Sequence, residues 1–156
     1  MSWDTGHAAV AAIAKRLEGA PGLEGCLVGE SLRGLSRKQG LPLVTVLALR
    51  EGAEKPVNRQ TGAARVLSRI GVLIAVPVRN DPGGSKARAS LQPLLDTTRA
   101  KLAGWCPEGV KEPIAWREGH LMDLTASHAL WQDAYEFTWW SGAKQAGKAT
   151  GTETGS

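Results

Sequence analysis

The chain has 156 residues, 42% of them hydrophobic and 22% charged, with a formal net charge of +4, two cysteines and six tryptophans. A chain of this size removes roughly 70% of its extended surface from water on folding, so neither a disulfide nor a metal is needed to hold it. Its longest apolar run, Ile70 to Val78, contains Gly71 and Pro77 and falls far short of the ~20 residues a membrane-spanning helix requires.

The first residues, Met1-Ser2-Trp3-Asp4, lack a basic stretch leading into an apolar run, so no signal peptide is expected and synthesis in a cytoplasm is. Val10, Ile13, Ala14 and Leu17 recur at helical spacing and predict a helix over 4–18. Asp4 or Thr5 caps it, Lys15 and Arg16 stand near its end, and Gly19-Ala20-Pro21-Gly22 stops it. Cys26-Leu27-Val28 reads as a short strand and 31–38 as a short helix. Leu43 to Arg50 is apolar on both faces, which predicts a central strand covered on both sides. A polar connection, 51–62, leads to a long strand over 65–79, in which Val66, Ile70, Val72, Ile74, Val76 and Val78 share one face. The two strands form an extended hairpin whose connection is unusually long.

Asp81-Pro82-Gly83-Gly84 is a turn signal, and Ser85 caps a helix running to about Ala103, with Leu91, Leu94, Leu95, Thr98 and Leu102 on its buried stripe and Pro93 inside it. Strands follow over 113–121 and 130–140. In the last, Trp131, Asp133, Tyr135, Phe137 and Trp139 share one face, and Gln132, Ala134, Glu136, Thr138 and Trp140 the other. Residues 141–156 contain no large apolar side chain and are expected to form a flexible tail. The expectation is an α+β fold. A mainly antiparallel four-stranded sheet is covered by two main helices, in one domain over 1–140 with a tail over 141–156.

No catalytic constellation emerges. His7, His120 and His128 have no second ligand at metal-binding spacing, and the string His120-x-x-Asp123 is better read as a loop histidine. Gly83-Gly84-Ser85-Lys86 lacks the glycine and order of a phosphate loop, and Ser31 lacks the flanking glycines of a nucleophile elbow. Cys26 and Cys106 form no C-x-x-C pair and are expected to be buried free thiols. The protein is expected to be no enzyme and to need no cofactor and no metal.

Charge and aromatics carry more information. Residues 51–88 hold seven Lys or Arg against three acidic residues, whereas 101–156 hold five basic against seven acidic. A chain so divided can meet copies of itself through opposite charges, with Arg69 and Arg79 candidates for that contact. The alternative is a small basic nucleic-acid-binding module, although no aromatic residue interleaves with Lys55 to Arg88 to stack bases. Trp139 and Trp140 are adjacent in a strand and point to opposite faces. One of them therefore needs a cover beyond the main core, and both are candidates for a subunit interface.

The helix end Leu102-Ala103-Gly104-Trp105-Cys106-Pro107 is followed by Pro113-Ile114-Ala115-Trp116 and Gly119-His120-Leu121. The aromatic strand Trp131 to Trp140 then closes the chain. This pattern resembles the tail terminator proteins of tailed phages and prophages, the minor tail U-like and Mu-like group. The upstream order of helix, long-looped hairpin and helix fits as well. The resemblance implies a virion protein at the neck end of the tail. It would be a homohexameric ring that caps the tail tube, ends its polymerisation and joins it to the head-side connector or neck protein. It also implies DNA passing through without sequence specificity and no membrane partner. Lys55, Arg59 and Arg65, in or beside the hairpin loop, are then candidates to line the lumen or face the tube.

Overall fold

The long hairpin organises the sheet. In the computed structural model, which describes residues 6–29, 42–54, 60, 62–78, 85–107, 110, 112–125 and 127–141, β2 (Leu43–Glu54) and β3 (Ala64–Pro77) pair antiparallel. Their register runs from Leu43↔Ala75 to Glu54↔Arg65, with one bulge at Leu49. The sequence suggested that the first arm ends at Arg50. It continues through Glu51-Gly52-Ala53-Glu54, whose polar composition reads as loop. From Ala48 to Ala53 these residues are exposed, so the backbone ladder opposite β3 holds this part rather than burial. The two-sided cover expected for β2 exists only over its first half, where Leu43, Val44, Thr45 and Val46 are buried.

On the far side of β3 lies β5 (His128–Ser141), paired antiparallel along its whole length, and β4 (Ala115–Leu124) pairs antiparallel with β5 at the edge. The sheet order is β1-β2-β3-β5-β4. The expected four antiparallel strands are therefore present, but the sheet has five and is mixed. The three-residue β1 (Leu27–Gly29) joins β2 in parallel through Leu27↔Leu43 and Val28↔Val44. The stretch between β1 and β2 has the dozen or so residues that a parallel crossover needs.

Both helices, α1 (Gly6–Leu17) and α2 (Ser85–Leu102), contribute to one core on a single face of this sheet. Ile13 and Leu17 of α1 and Leu91, Leu95 and Leu102 of α2 meet Val44, Val46, Ile70, Val72, Ile74, Tyr135 and Phe137 there. The helical stripe and the period-two alternation thus point at each other, which is why this sequence selects this packing. The other sheet face is buried at Leu43, Thr45, Leu73, Ala75 and Ala134 and opens toward the hairpin end.

The Leu102-to-Pro107 motif is a helix stop that doubles as a strand start. Gly104 takes φ +85, the left-handed geometry glycine adopts without steric penalty at a helix end. Its N–H donates to Ile114 O at 2.8 Å, and the Ile114 N–H donates to Trp105 O at 2.8 Å. Arg16, at the end of α1, donates from Nε to Lys101 O at 2.7 Å and lies 4.3 Å above the Trp105 ring, tying both helix ends to this turn. Cys106 faces outward here and is exposed, and Cys26 is half-buried. Both are free, but neither is the buried thiol expected, because one lies in a turn and the other at the approach to an edge strand. Burial, with the charge of Glu24, pushes the Cys26 thiol up. The expected helix over 31–38, the turn Asp81 to Gly84 and the tail beyond 141 lie outside the described residues.

A methyl group at position 104 meets no atom within 4 Å, so only backbone strain opposes it. Gly104→Ala is expected to lower stability by about 1–2 kcal/mol and Tm by roughly 2–4 °C per kcal/mol. Gly52→Ala, in open space without positive φ, is expected to stay within about 0.5 kcal/mol. Urea melts of the two variants check the pair.

Candidate interaction surface

Of the residues singled out from the sequence, Lys55, Arg59 and Arg79 lie outside the described residues. The other four are resolved into distinct roles. Trp139 faces the core and is buried. Its indole N–H donates to Ser68 Oγ at 2.8 Å, and the Ser68 hydroxyl donates to Glu51 Oε2 at 3.0 Å. The indole is thus enclosed within its own subunit. Trp140 points the opposite way and is 45% exposed, so of this adjacent pair the one left without a cover is Trp140.

Arg65 and Arg69 stand on the same open face as Trp140, four positions apart on β3. Arg65 Nε is 3.2 Å from Glu54 and its guanidinium also reaches Glu112, which accepts the Thr138 hydroxyl at 3.0 Å. Arg69 bridges Glu136 at 2.9 Å and Glu118, and Arg117 reaches Glu136 at 2.7 Å. The basic hairpin and the acidic C-terminal third are thus partners within one subunit, across β3, β5 and β4. The opposite charges expected to attract between copies are met internally at these two arginines, and they leave less free positive charge for nucleic acid. The Thr138 and Arg65 donors hold the Glu112 carboxyl below the ordinary range. Burial alone would push Glu136 up, but the hydrogen bonds and charges of Arg117 and Arg69 outweigh it and hold this carboxyl low as well.

On the helix face, the edge of the sheet forms a second surface. A groove of about 310 Å³ runs between α2 and β4, lined chiefly by Leu91, Leu95, Leu121, Leu124, Arg88 and Trp131. Leu121 and Leu124 are 48% and 40% exposed, and β4 has no strand on its outer side among the described residues. The floor of the groove is fixed by a buried carboxylate. Asp133, fully buried, accepts two bonds from Arg99, at 2.7 and 2.8 Å, one from the Trp131 indole at 2.8 Å and one from the Tyr135 hydroxyl at 3.4 Å. Arg99 in turn lies 4.6 Å above the Trp116 ring. Its hydrogen bonds to Asp133 raise the Arg99 guanidinium, and burial with the charge of Asp133 pushes the Tyr135 phenol well up. Opposite this cluster stands Gly119, where a Cβ would come within 2.3 Å of Asp133 Oδ1, so only glycine leaves room for the carboxylate.

The groove was not read from the sequence, although two signals point to it. Asp133 is a charge on the otherwise apolar face of β5, which demands a buried partner. Leu121, Met122 and Leu124 are also more large apolar side chains than an edge strand can turn inward. The His120-x-x-Asp123 string makes no site: Asp123 stands 4.0 Å from His128 Nε2, and His128 belongs to the turn closed by Thr125 and Ser127.

Every neighbour of the Asp133 carboxylate is a donor, so an amide nitrogen there would face other donors. Asp133→Asn is expected to cost about 2–4 kcal/mol, below the usual 3–5 for a broken buried pair because the Arg99 side chain keeps 27% exposure. Combined with Arg99→Met it is expected to lose less than the sum of the two single variants, as a denaturant double-mutant cycle would show. On the open face Glu112 and Glu136 set a pH dependence. Their folded-state values lie below the unfolded one, so their stabilisation is complete above the unfolded carboxylate range and is lost as pH falls through the folded values. Melts between pH 7 and pH 3 are expected to show a shallower acid loss for Glu136→Gln than for the parent.

Comparison with curated protein sequences returns no match. The family model described as phage tail terminator protein matches residues 4–144, which include every described strand, both helices and the groove. The chain belongs to the phage tail terminator protein family and is a structural protein of the phage tail.

Proposed function

We propose that this protein is the subunit of a six-membered ring that caps the tail tube, ends its polymerisation and offers the head-side connector a docking surface. Family membership carries this reading. The geometry is compatible with it, because the subunit presents two unlike exposed surfaces, Trp140 on the open face and the α2–β4 groove on the helix face. Unlike patches favour a head-to-tail contact, which closes into a ring when the rotation per subunit is right. The role is structural rather than catalytic, and it places the protein at the neck end of the tail.

In such a ring the hairpin tip is the candidate for the lumen or the tube face. Lys55 and Arg59 in its connection are the basic groups proposed to meet the passing DNA. Arg65 has half of that role at most, because its guanidinium already serves Glu54 and Glu112. A weakly held, sequence-indifferent cationic lining suits DNA that must slide.

Electron microscopy of tubes polymerised from the cognate tube protein tests the reading. Adding this protein is expected to stop elongation and leave a ring at one end. Six copies of 16.5 kDa amount to about 99 kDa by native mass. Continued growth with no ring at either end would overturn the assignment.

A further inference from the structure

Trp140 and the α2–β4 groove lie on opposite faces of the sheet and at opposite ends of β5. Trp131, at the groove, is nine residues from Trp140, a span of about 30 Å along a strand. A subunit cannot place its own Trp140 in its own groove. Between copies the two match in three respects. The groove, at about 310 Å³, lies at the small end of binding clefts, roughly 300–1,000 Å³, which suits one large side chain rather than a whole strand. Its walls are apolar, from Leu91, Leu95, Leu121 and Leu124, and its charged lining is Arg88 and Arg99 with no carboxylate. Arg99 is neutralised by the buried Asp133, which leaves the rim positive through Arg88. Immediately beside Trp140, on a face whose described charges otherwise pair off, the local balance has the opposite sign. Arg65, its direct register partner, holds both Glu54 and Glu112, one arginine against two carboxylates.

We infer that Trp140 of one copy seats in the α2–β4 groove of the next, and that this knob and hole is the subunit contact of the ring. The inference rests on the ring reading and adds its mechanism. The groove is ready for such a guest. Asp133 fixes both Trp131 and Arg99, so little side-chain freedom is lost when the site fills. A buried aromatic anchor in a rigid pocket, with a charged rim, is the arrangement that concentrates binding energy in a few residues. The occupant is a second copy of this chain because the knob and the hole are present on every subunit, with complementary charge and fit.

The test uses the full chain, alone and on tail tubes. Trp140→Ala and Leu124→Arg each alter an exposed side chain, so urea melts are expected to match the parent, while ring formation on tubes weakens at least about tenfold. In a parallel sample, Trp140 is replaced by the photoreactive aromatic p-benzoylphenylalanine, which keeps the bulk. Irradiated rings are expected to give a ladder of covalent species up to the hexamer, with the cross-link mapped to the groove at Leu91, Leu95 or Leu124. Rings that persist in both variants, or cross-links that map elsewhere or stop at dimers, overturn the inference while leaving the ring standing. Tubes that never acquire a ring, even from the parent, remove the ring reading and the inference together.

Discussion

The carboxylate of Asp133 organises one whole side of this molecule. It has no contact with water, and an ionised carboxylate in such a place is tolerated only when its lone pairs are filled by donors. Arg99 brings two from α2, and Trp131 and Tyr135 bring one each from β5 itself. The demand fixes the rotation of α2 about its axis, because residue 99 must point into the sheet. It fixes the identity of residue 119 on β4, because a methyl group there would displace the carboxylate. Three elements are thus set in register by one charge, where a patch of leucines would permit sliding. Buried ionic groups add little net stability over well-packed apolar ones, and the use of this one is to specify geometry at the groove.

The opposite face follows a different logic. Arg65, Arg69 and Arg117 interleave with Glu54, Glu118 and Glu136 of the strands and with Glu112 just before β4. Most of these groups are half-exposed, and exposed pairs contribute about 0–1 kcal/mol each. Their number matters more than their strength, since cross-strand charge pairs favour one register over the neighbouring ones. They also neutralise a surface that would otherwise carry a strong positive field from the hairpin. Among the exposed residues described on that face, Trp140 is the large aromatic one.

Much of this arrangement was legible from residues alone. The stripe of α1, the alternation of β3 and the aromatic strand β5 are long periodic signals, and all three stand where their spacing puts them. The helix end at Gly104 was readable because positive φ leaves a glycine behind. Other features were not legible, for identifiable reasons. The outer half of β2 is exposed and polar, so nothing in its side chains marks it as strand, and its pairing is set by β3 across the ladder. The turn between β4 and β5 carries no glycine, proline or asparagine. The Thr125 hydroxyl closes it by accepting the N–H groups of Ser127 and His128, so both strands run past their expected ends. The charge imbalance between the two halves was visible in the sequence, but not whether it is resolved within one copy or between two. That depends on strand order, since β5 lies beside β3 and β4 beside β5, and both deliver carboxylates to the arginines of β3.

Strand order also explains why the Trp pair divides its work. Adjacent residues on a strand cannot share a face, and β5 is central, with β3 on one side and β4 on the other. Its helix-facing positions must therefore be core, and Trp139 is, with Ser68 and Glu51 relaying its N–H toward solvent. Its other face would be core too if the sheet were covered there to the end, yet burial on that face stops near Ala134 and Leu73. Trp140 lies beyond that limit, where the sheet continues as a hairpin arm with ladder bonds but, among the described residues, no layer on top. A large apolar side chain placed where the fold supplies no cover is a standing cost in solvation, and burial against another molecule removes that cost. In a structural protein of the phage tail, a tryptophan so placed is the feature on which the proposed subunit contact rests.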